Sequence, residues 1–252
     1  MASEAAPSLD AVAALLTDAL GATTGGPDPA GTWITTDQPV RRLGLAVEPG
    51  APPYDWAHGL DALLVHRPFG LWPARLPVGV GVIAYHGALD RWLWSGPAWG
   101  LAAALDVPTD AAPLLREGRP IGVVGASAPD LLKRVQNLLG GVDETLGDMA
   151  RPAERVAVVG AMTDALVRDA AARGATHVVT GQIRRPGVAA ADQTGVAILA
   201  VGQARAERWA LRRLAERVQA CWPDVQIIPH LKDTAAPADA EAAGAVEPNR
   251  AG

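Results

Sequence analysis

Apolar positions along the chain follow two rhythms. In the first, Leu9, Val12, Ala13, Leu16 and Leu20 recur at intervals of three and four, behind a Ser8 placed to cap them. That spacing predicts an amphipathic helix over Leu9–Leu20 whose apolar stripe docks on a core. In the second, short Val-, Leu- and Ile-rich runs appear at 43–47, Ala62–Val65, 80–85, 121–124, 156–159, His177–Thr180, 196–201 and 225–228. Each has the length of a strand, is bounded by Gly, Pro or charge, and is apolar on both faces, which predicts strands covered on both sides.

Helical patterns lie between these runs, at 98–105, 130–139, 164–173 and 204–221. They are bounded by Gly140, Gly174 and Pro223, and Thr163 caps the third. The segment 21–31 reads as a Gly/Pro-rich loop. Alternation of strand and helix predicts an α/β protein of two layered lobes with a cleft between them. The Pro- and Gly-containing stretch 107–120 is the natural boundary, giving an N-terminal lobe over 1–115 and a C-terminal lobe over 116–231. Residues 232–252 are Ala, Pro, Glu and Gly with nothing to bury, and a disordered tail is expected there.

Composition narrows the function classes. The formal net charge is −5, and a dedicated nucleic-acid binder would need a basic face to displace counterions, so nucleic acid is not the expected partner. Cys221 is the only cysteine, which excludes an internal disulfide framework and a cysteine zinc cluster and fits a cytoplasmic location. No apolar run approaches the roughly 20 residues needed to cross a bilayer, and the first residues carry no basic or apolar leader pattern.

Candidate chemistry sits where apolar strands run out, the usual place for ligands in open α/β sheets. One strand delivers His66 just before Arg67 and Pro68, and another delivers His86 four residues before Asp90. A third passes through Gly202 into a helix that carries Gln203 and Glu207 on one face. A phosphate-binding loop, a GxGxxG turn and a Gly-x-Ser-x-Gly elbow are all absent. Trp92, Trp94 and Trp99 cluster after Asp90, as packing or as an oligomer contact.

These elements, in this order, resemble the Nif-three-like family, also called YbgI-like and known as homologues of type 2 GTP cyclohydrolase I. The family's His-His-Pro strand end is matched by His66-Arg67-Pro68, and its His-Thr-Asn-Leu-Asp element by His86-Gly-Ala-Leu-Asp90. Its Ile-Thr-Gly-Glu element is matched by Val179-Thr180-Gly181-Gln182, and its Gly-His-x-x-Ser-Glu element by Gly202-Gln203-Ala-Arg-Ala-Glu207. The early Gly-Leu strand and the Gly-Arg-x-Gly segment have counterparts at 43–47 and 118–122, and the resemblance spans roughly residues 8–231.

The resemblance implies two α/β lobes, a dinuclear metal centre between them and a ring-shaped hexamer. Carried over, the surviving ligands are His66, Asp90 and Glu207, and His86 is the proton-carrying catalytic residue or a group that supports the ligands. Arg67 stands where a second adjacent His would be, Gln203 where the helix-start His would be, and Gln182 where an acid would be. Arginine is always protonated and cannot bind a cation, and a glutamine amide is a weak ligand.

The expectation is therefore a degenerate site with three possible states. It holds one divalent ion (Zn, Fe, Mn and Mg are not distinguished), or no metal with Arg67 paired to Asp90 or Glu207, or two metals. Two functions follow: a metal-dependent hydrolase of a phosphorylated or nucleotide-like small molecule, or a non-catalytic homo-oligomeric scaffold or ligand-binding protein. Arg184 and Arg185 are candidates for attracting an anionic small molecule.

Overall fold

A computed structural model describes residues 5–96, 100–110 and 112–230. The strands are β1 (Ala30–Ile34), β2 (Arg42–Ala46), β3 (Ala62–Val65), β4 (Gly81–Tyr85), β5 (Leu114–Arg116), β6 (Arg119–Ala126), β7 (Glu144–Leu146), β8 (Arg155–Val159), β9 (His177–Thr180), β10 (Ala197–Ala200) and β11 (Gln226–Pro229). The α-helices are α1 (Leu9–Leu20), α2 (Gly87–Ser95), α3 (Leu101–Ala104), α4 (Leu131–Leu139), α5 (Asp164–Ala172), α6 (Arg185–Thr194) and α7 (Gln203–Cys221).

Two mixed sheets result. The first runs β1-β4-β3-β2-β11, with β4, β3, β2 and β11 parallel and β1 antiparallel at one edge. The second runs β5-β6-β8-β9-β10-β7, with β8, β9 and β10 parallel and antiparallel strands outside them. The α/β class expected from the alternation is the class observed.

Side-chain alternation explains why the strands read as apolar on both faces. In the first sheet Leu43, Leu64, Ile83 and Tyr85 point into one core, while Leu63, Val65, Val82 and Ala84 point into another beneath Tyr54, Ala57 and Leu71. In the second sheet Val156, Val158, Val179 and Leu199 share the first core, whereas Ala157, Val159, Val178 and Ile198 pack under α5 and α6. Buried faces of α1, α2, α4 and α7 join that shared core, which is thus continuous between the sheets. Each fully buried Leu or Val in it contributes about 1.5–3 kcal/mol.

Helix α1 begins where Ser8 Oγ accepts from the Ala11 amide and ends at Gly21 in the left-handed conformation. Trp92 on α2 stacks on Trp209 of α7, with ring centroids 6.1 Å apart, so this part of the tryptophan cluster serves packing. Trp99 lies outside the described residues, as does the start of the 98–105 helix, within which α3 is found.

Several elements differ from the sequence expectation. The 21–31 loop gives way to β1 at Ala30, which pairs with β4. The three-residue strands β5 and β7 carry too little pattern to be read alone and owe their form to β6 and β10. Helix α6 opens on Arg185-Pro186, and the proline at its start is suited to the first turn.

Sheet membership does not follow one cut near residue 115: β5 belongs to the second sheet, and β11 returns to pair with β2 in the first. The expected tail, 232–252, lies outside the described residues. Among the described residues, no helix is long and apolar enough to cross a membrane.

Candidate metal centre

Parallel pairing of β3 and β4 ends both strands at the same edge, in register Val65 to Ala84. His66 follows β3, and its amide still bonds to Ala46 of the neighbouring strand. His86 follows β4 and forms the N-cap of α2, which places Asp90 one helical turn away. The two imidazoles lie 5.2 Å apart, centroid to centroid.

On the other side, β9 and β10 end together, with the Gly202 amide bonded to the Gly181 carbonyl, and α7 starts at once. A Cβ on Gly181 would fall 2.0 Å from Gln203 Oε1, so glycine here leaves room for the Gln203 side chain in the position from which it donates to Glu207. Glu207, one turn into α7, is completely buried.

These elements bring an alternating row of charges together. His66, also fully buried, has Nε2 3.3 Å from Asp90 Oδ1 and Nδ1 3.5 Å from Glu207 Oε1. Neither nitrogen makes a well-aligned hydrogen bond. Burial pushes the imidazole toward neutrality, but the two facing carboxylates outweigh it and raise its pKa to about 9. His66 is therefore an imidazolium at neutral pH. Burial likewise opposes ionisation of Asp90, and the adjoining His66 overcomes this and holds its carboxyl below the usual range.

Glu207 Oε1 accepts from Arg67 Nη2 and, at 2.7 Å, from Gln203 Nε2. Arg67 also reaches Glu48 Oε1 at 3.0 Å. Burial works against its charge, and Glu207 and Glu48 more than restore it. Of the two carboxylates expected as its partner, Arg67 chooses Glu207.

His86 is set differently. Its Nδ1 lies 2.7 Å from Asp28 Oδ1, and Asp28 Oδ2 accepts from the Gly87 amide at 2.7 Å. An ionised carboxylate only accepts, so Nδ1 carries a proton, and Nε2 is the nitrogen turned toward Asp90. That nitrogen lies 3.9 Å from Asp90 Oδ2. A histidine whose far N–H is held by a carboxylate is the usual arrangement of a metal-ligating imidazole. Phe69 packs edge-on against the same ring.

Of the residues singled out in the sequence, His66, Asp90 and Glu207 all meet, but Asp90 and Glu207 face opposite nitrogens of His66. The groups that converge are His66, His86 and Asp90, each offering a donor atom within 4.8 Å of the others. This trio fits one metal ion: His66 Nε2 and Asp90 Oδ1 are buried with no hydrogen-bond partner among the described residues, and Asp28 has already oriented His86. Glu207 stands apart from the trio: its Oε1 is committed to Arg67 and Gln203, and its buried Oε2 makes no hydrogen bond among the described residues.

Asp28 and Glu48 escaped the sequence reading. Each lies in a Gly/Pro-rich stretch with no periodicity to mark it. Arg184 hydrogen-bonds exposed Gln182.

A cavity of about 280 Å³ opens beside the trio and is bordered by Asp90, Trp94 and Gln203. Larger hollows, of about 470 Å³ beside His177 and about 570 Å³ along α1, contain none of these site residues.

Comparison with known proteins accords with the fold and the order of elements. Protein ybgI, of unknown function, superposes with a TM-score of 0.69 at 21% identity, covering 88% of this chain and 97% of its own. A Bacillus cereus protein related to NIF3 gives 0.64 at 16% identity, with coverage of 89% and 97%. Reduced HcgD from Methanocaldococcus jannaschii gives 0.63 at 16%, with coverage of 88% and 97%. No curated protein matches the chain. The family model for Duf34/NIF3 (NGG1p interacting factor 3) matches residues 25–233. The chain belongs to the DUF34/NIF3 family.

Proposed function

We propose that this protein is a one-metal member of its family that hydrolyses a small molecule in the cleft beside Asp90. The observation that carries the reading is the Asp28-oriented imidazole of His86 converging with His66 and Asp90. A divalent ion held there would supply Lewis acidity to a carbonyl or phosphoryl oxygen. The protein's own part is positional. Asp28 fixes the tautomer of His86, and Glu207 holds His66 in place from its far nitrogen. Arg67 supplies permanent positive charge where the family resemblance sets a second cation. Because His66 is protonated near neutrality, it must release a proton to become a ligand, and metal uptake is coupled to pH.

Metal content after dialysis against Zn²⁺, Mn²⁺ or Fe²⁺ tests this directly. One equivalent is expected in the wild type, with loss in His86→Ala and Asp90→Asn and retention in Glu207→Gln. No metal in the folded wild type would overturn the reading. The Arg67–Glu207 pair supports a second reading, a non-catalytic ligand-binding protein; metal bound without any hydrolysis of small esters or phosphoesters would favour it. The proposal includes a cytoplasmic homo-oligomer. Exposed Phe69, Trp72 and Val78 between β3 and β4 support self-association, which light scattering measures.

A further inference from the structure

The cavity beside Asp90 has a basic wall that the site described above does not use. Strands β5 and β6 form a hairpin closed by Glu117 and Gly118, both at positive φ (52° and 75°). This is the tight two-residue turn whose twist matches its strands. Its closing pair is Arg116 directly opposite Arg119. Like charges placed directly across a ladder repel and destabilise it, so the hairpin holds two guanidiniums together at a cost to itself.

Both line the cavity, as does Arg91 of α2, the residue after Asp90. All three arginines are exposed. Arg91 and Arg119 have no hydrogen bond or ion pair from their guanidinium groups among the described residues. Arg116 has only Glu117, 3.7 Å away and itself exposed, a pairing worth little in water. The lining sets these three guanidiniums against two carboxylates, Asp90 and Glu117, and so stays net positive in a chain of net charge −5.

Pro120 and Ile121, which follow Arg119 on β6, supply the apolar part of the lining together with an edge of the nearly buried Trp94, whose indole fits because Gly160 has no side chain; a Cβ there would lie 2.7 Å from Trp94 Cδ1. At about 280 Å³ the space is slightly below the usual size of small-ligand pockets, ~300–1,000 Å³, and suits a small ligand.

We propose that Arg91, Arg116 and Arg119 form a phosphoryl-binding subsite, and that the cavity takes a small phosphorylated organic molecule whose carbon part rests against Trp94, Pro120 and Ile121. Arginine forks suit phosphate oxygens in bidentate geometry. Asp90 borders the same cavity, so a phosphoryl group held there lies next to the candidate metal centre. The identification of this ligand as the substrate rests on the one-metal reading; its binding does not.

The test is calorimetric titration of metal-free, full-length protein with inorganic phosphate and with phenyl phosphate at low salt. Both are expected to bind, phenyl phosphate more tightly because its ring meets the apolar part of the lining. Arg116→Ala, Arg119→Ala and Arg91→Ala should each weaken binding roughly tenfold, whereas Arg134→Ala, on a remote arginine paired with Asp106, should not. Raising NaCl to about 0.5 M should weaken binding further through screening. Unchanged melting temperatures would show that these exposed substitutions leave the fold intact.

Absence of phosphate binding, or equal binding in the three arginine variants, overturns the subsite. So does an arginine variant that changes the oligomeric mass and not the affinity, which would make the patch a subunit contact. A protein that binds phenyl phosphate but no metal keeps the subsite and loses the hydrolase; one that binds metal but no phosphate does the reverse.

Discussion

Replacing Arg67 by methionine isolates the charge that distinguishes this site. The side chain is only 27% exposed and bridges Glu207, which is wholly buried, to Glu48, which is 59% exposed. The Glu48 contact is a surface ion pair worth at most about 1 kcal/mol. Glu207 is the larger matter. Removing one partner of a buried pair costs about 3–5 kcal/mol because a desolvated charge is left behind. Here His66 remains 3.5 Å away and Gln203 still donates to the same oxygen, so the lower end applies, about 3 kcal/mol. For a chain of this length that corresponds to a fall in Tm on the order of 6–12 °C. The assay is urea unfolding at pH 7 of the parent, Arg67→Met, Glu207→Leu and the double variant. The double variant should recover part of this loss, since both charges of the pair are gone while His66 and Gln203 lose the Glu207 carboxylate, and the coupling energy should exceed about 2 kcal/mol. A single variant within about 0.5 kcal/mol of the parent would refute the account, because Glu207 would then have found other compensation.

Three further outcomes follow from the same geometry. His66 rises from 6.5 in the unfolded chain to about 9 in the folded one, so its contribution is fully present below pH 6.5 and lost as pH climbs through 9. The shift corresponds to roughly 3 kcal/mol, and urea midpoints between pH 6 and 10 should fall accordingly and flatten in His66→Gln; a flat wild-type profile would contradict the charge row. Asp28→Ala frees His86 from its tautomer and should weaken metal binding about 10–100-fold in a chelator competition assay, with unaltered affinity counting against the oriented imidazole. Gly181→Ala drives a Cβ into Gln203 and should cost about 1–3 kcal/mol on thermal melting, whereas Gly50→Ala, where a Cβ meets no atom within 4 Å but φ is positive, carries only backbone strain.

The legible part of this protein was the part that strand ends mark. His66 and His86 each ended an apolar run, so their place at strand ends was legible from pattern, whereas the parallel pairing of β3 with β4 that brings the two rings together was not. Asp90 was legible through the four-residue spacing from His86, which became a turn of α2. Glu207 was legible through the same spacing from Gln203, but not its side of His66, which depends on how α7 lies across the first sheet. Asp28 was invisible because its role arises from the Pro29 carbonyl accepting the His86 amide, a long-range contact of a loop with a strand end. The edge strands β5 and β7 were hidden for a related reason: three residues hold no period, and their conformation is set by the neighbours they pair with.

The return of β11 to the first sheet has a mechanical meaning. Helix α7 is tied at its start to the second sheet, where Gly202 bonds to Gly181, and only a few residues after its end the chain is stitched into the first sheet beside β2. It is a strut pinned at both ends, and Glu207 rides on it. Rotating one sheet away from the other would have to tear one of these two seams or break the helix. Loss of either seam should therefore disassemble the charge row as a unit.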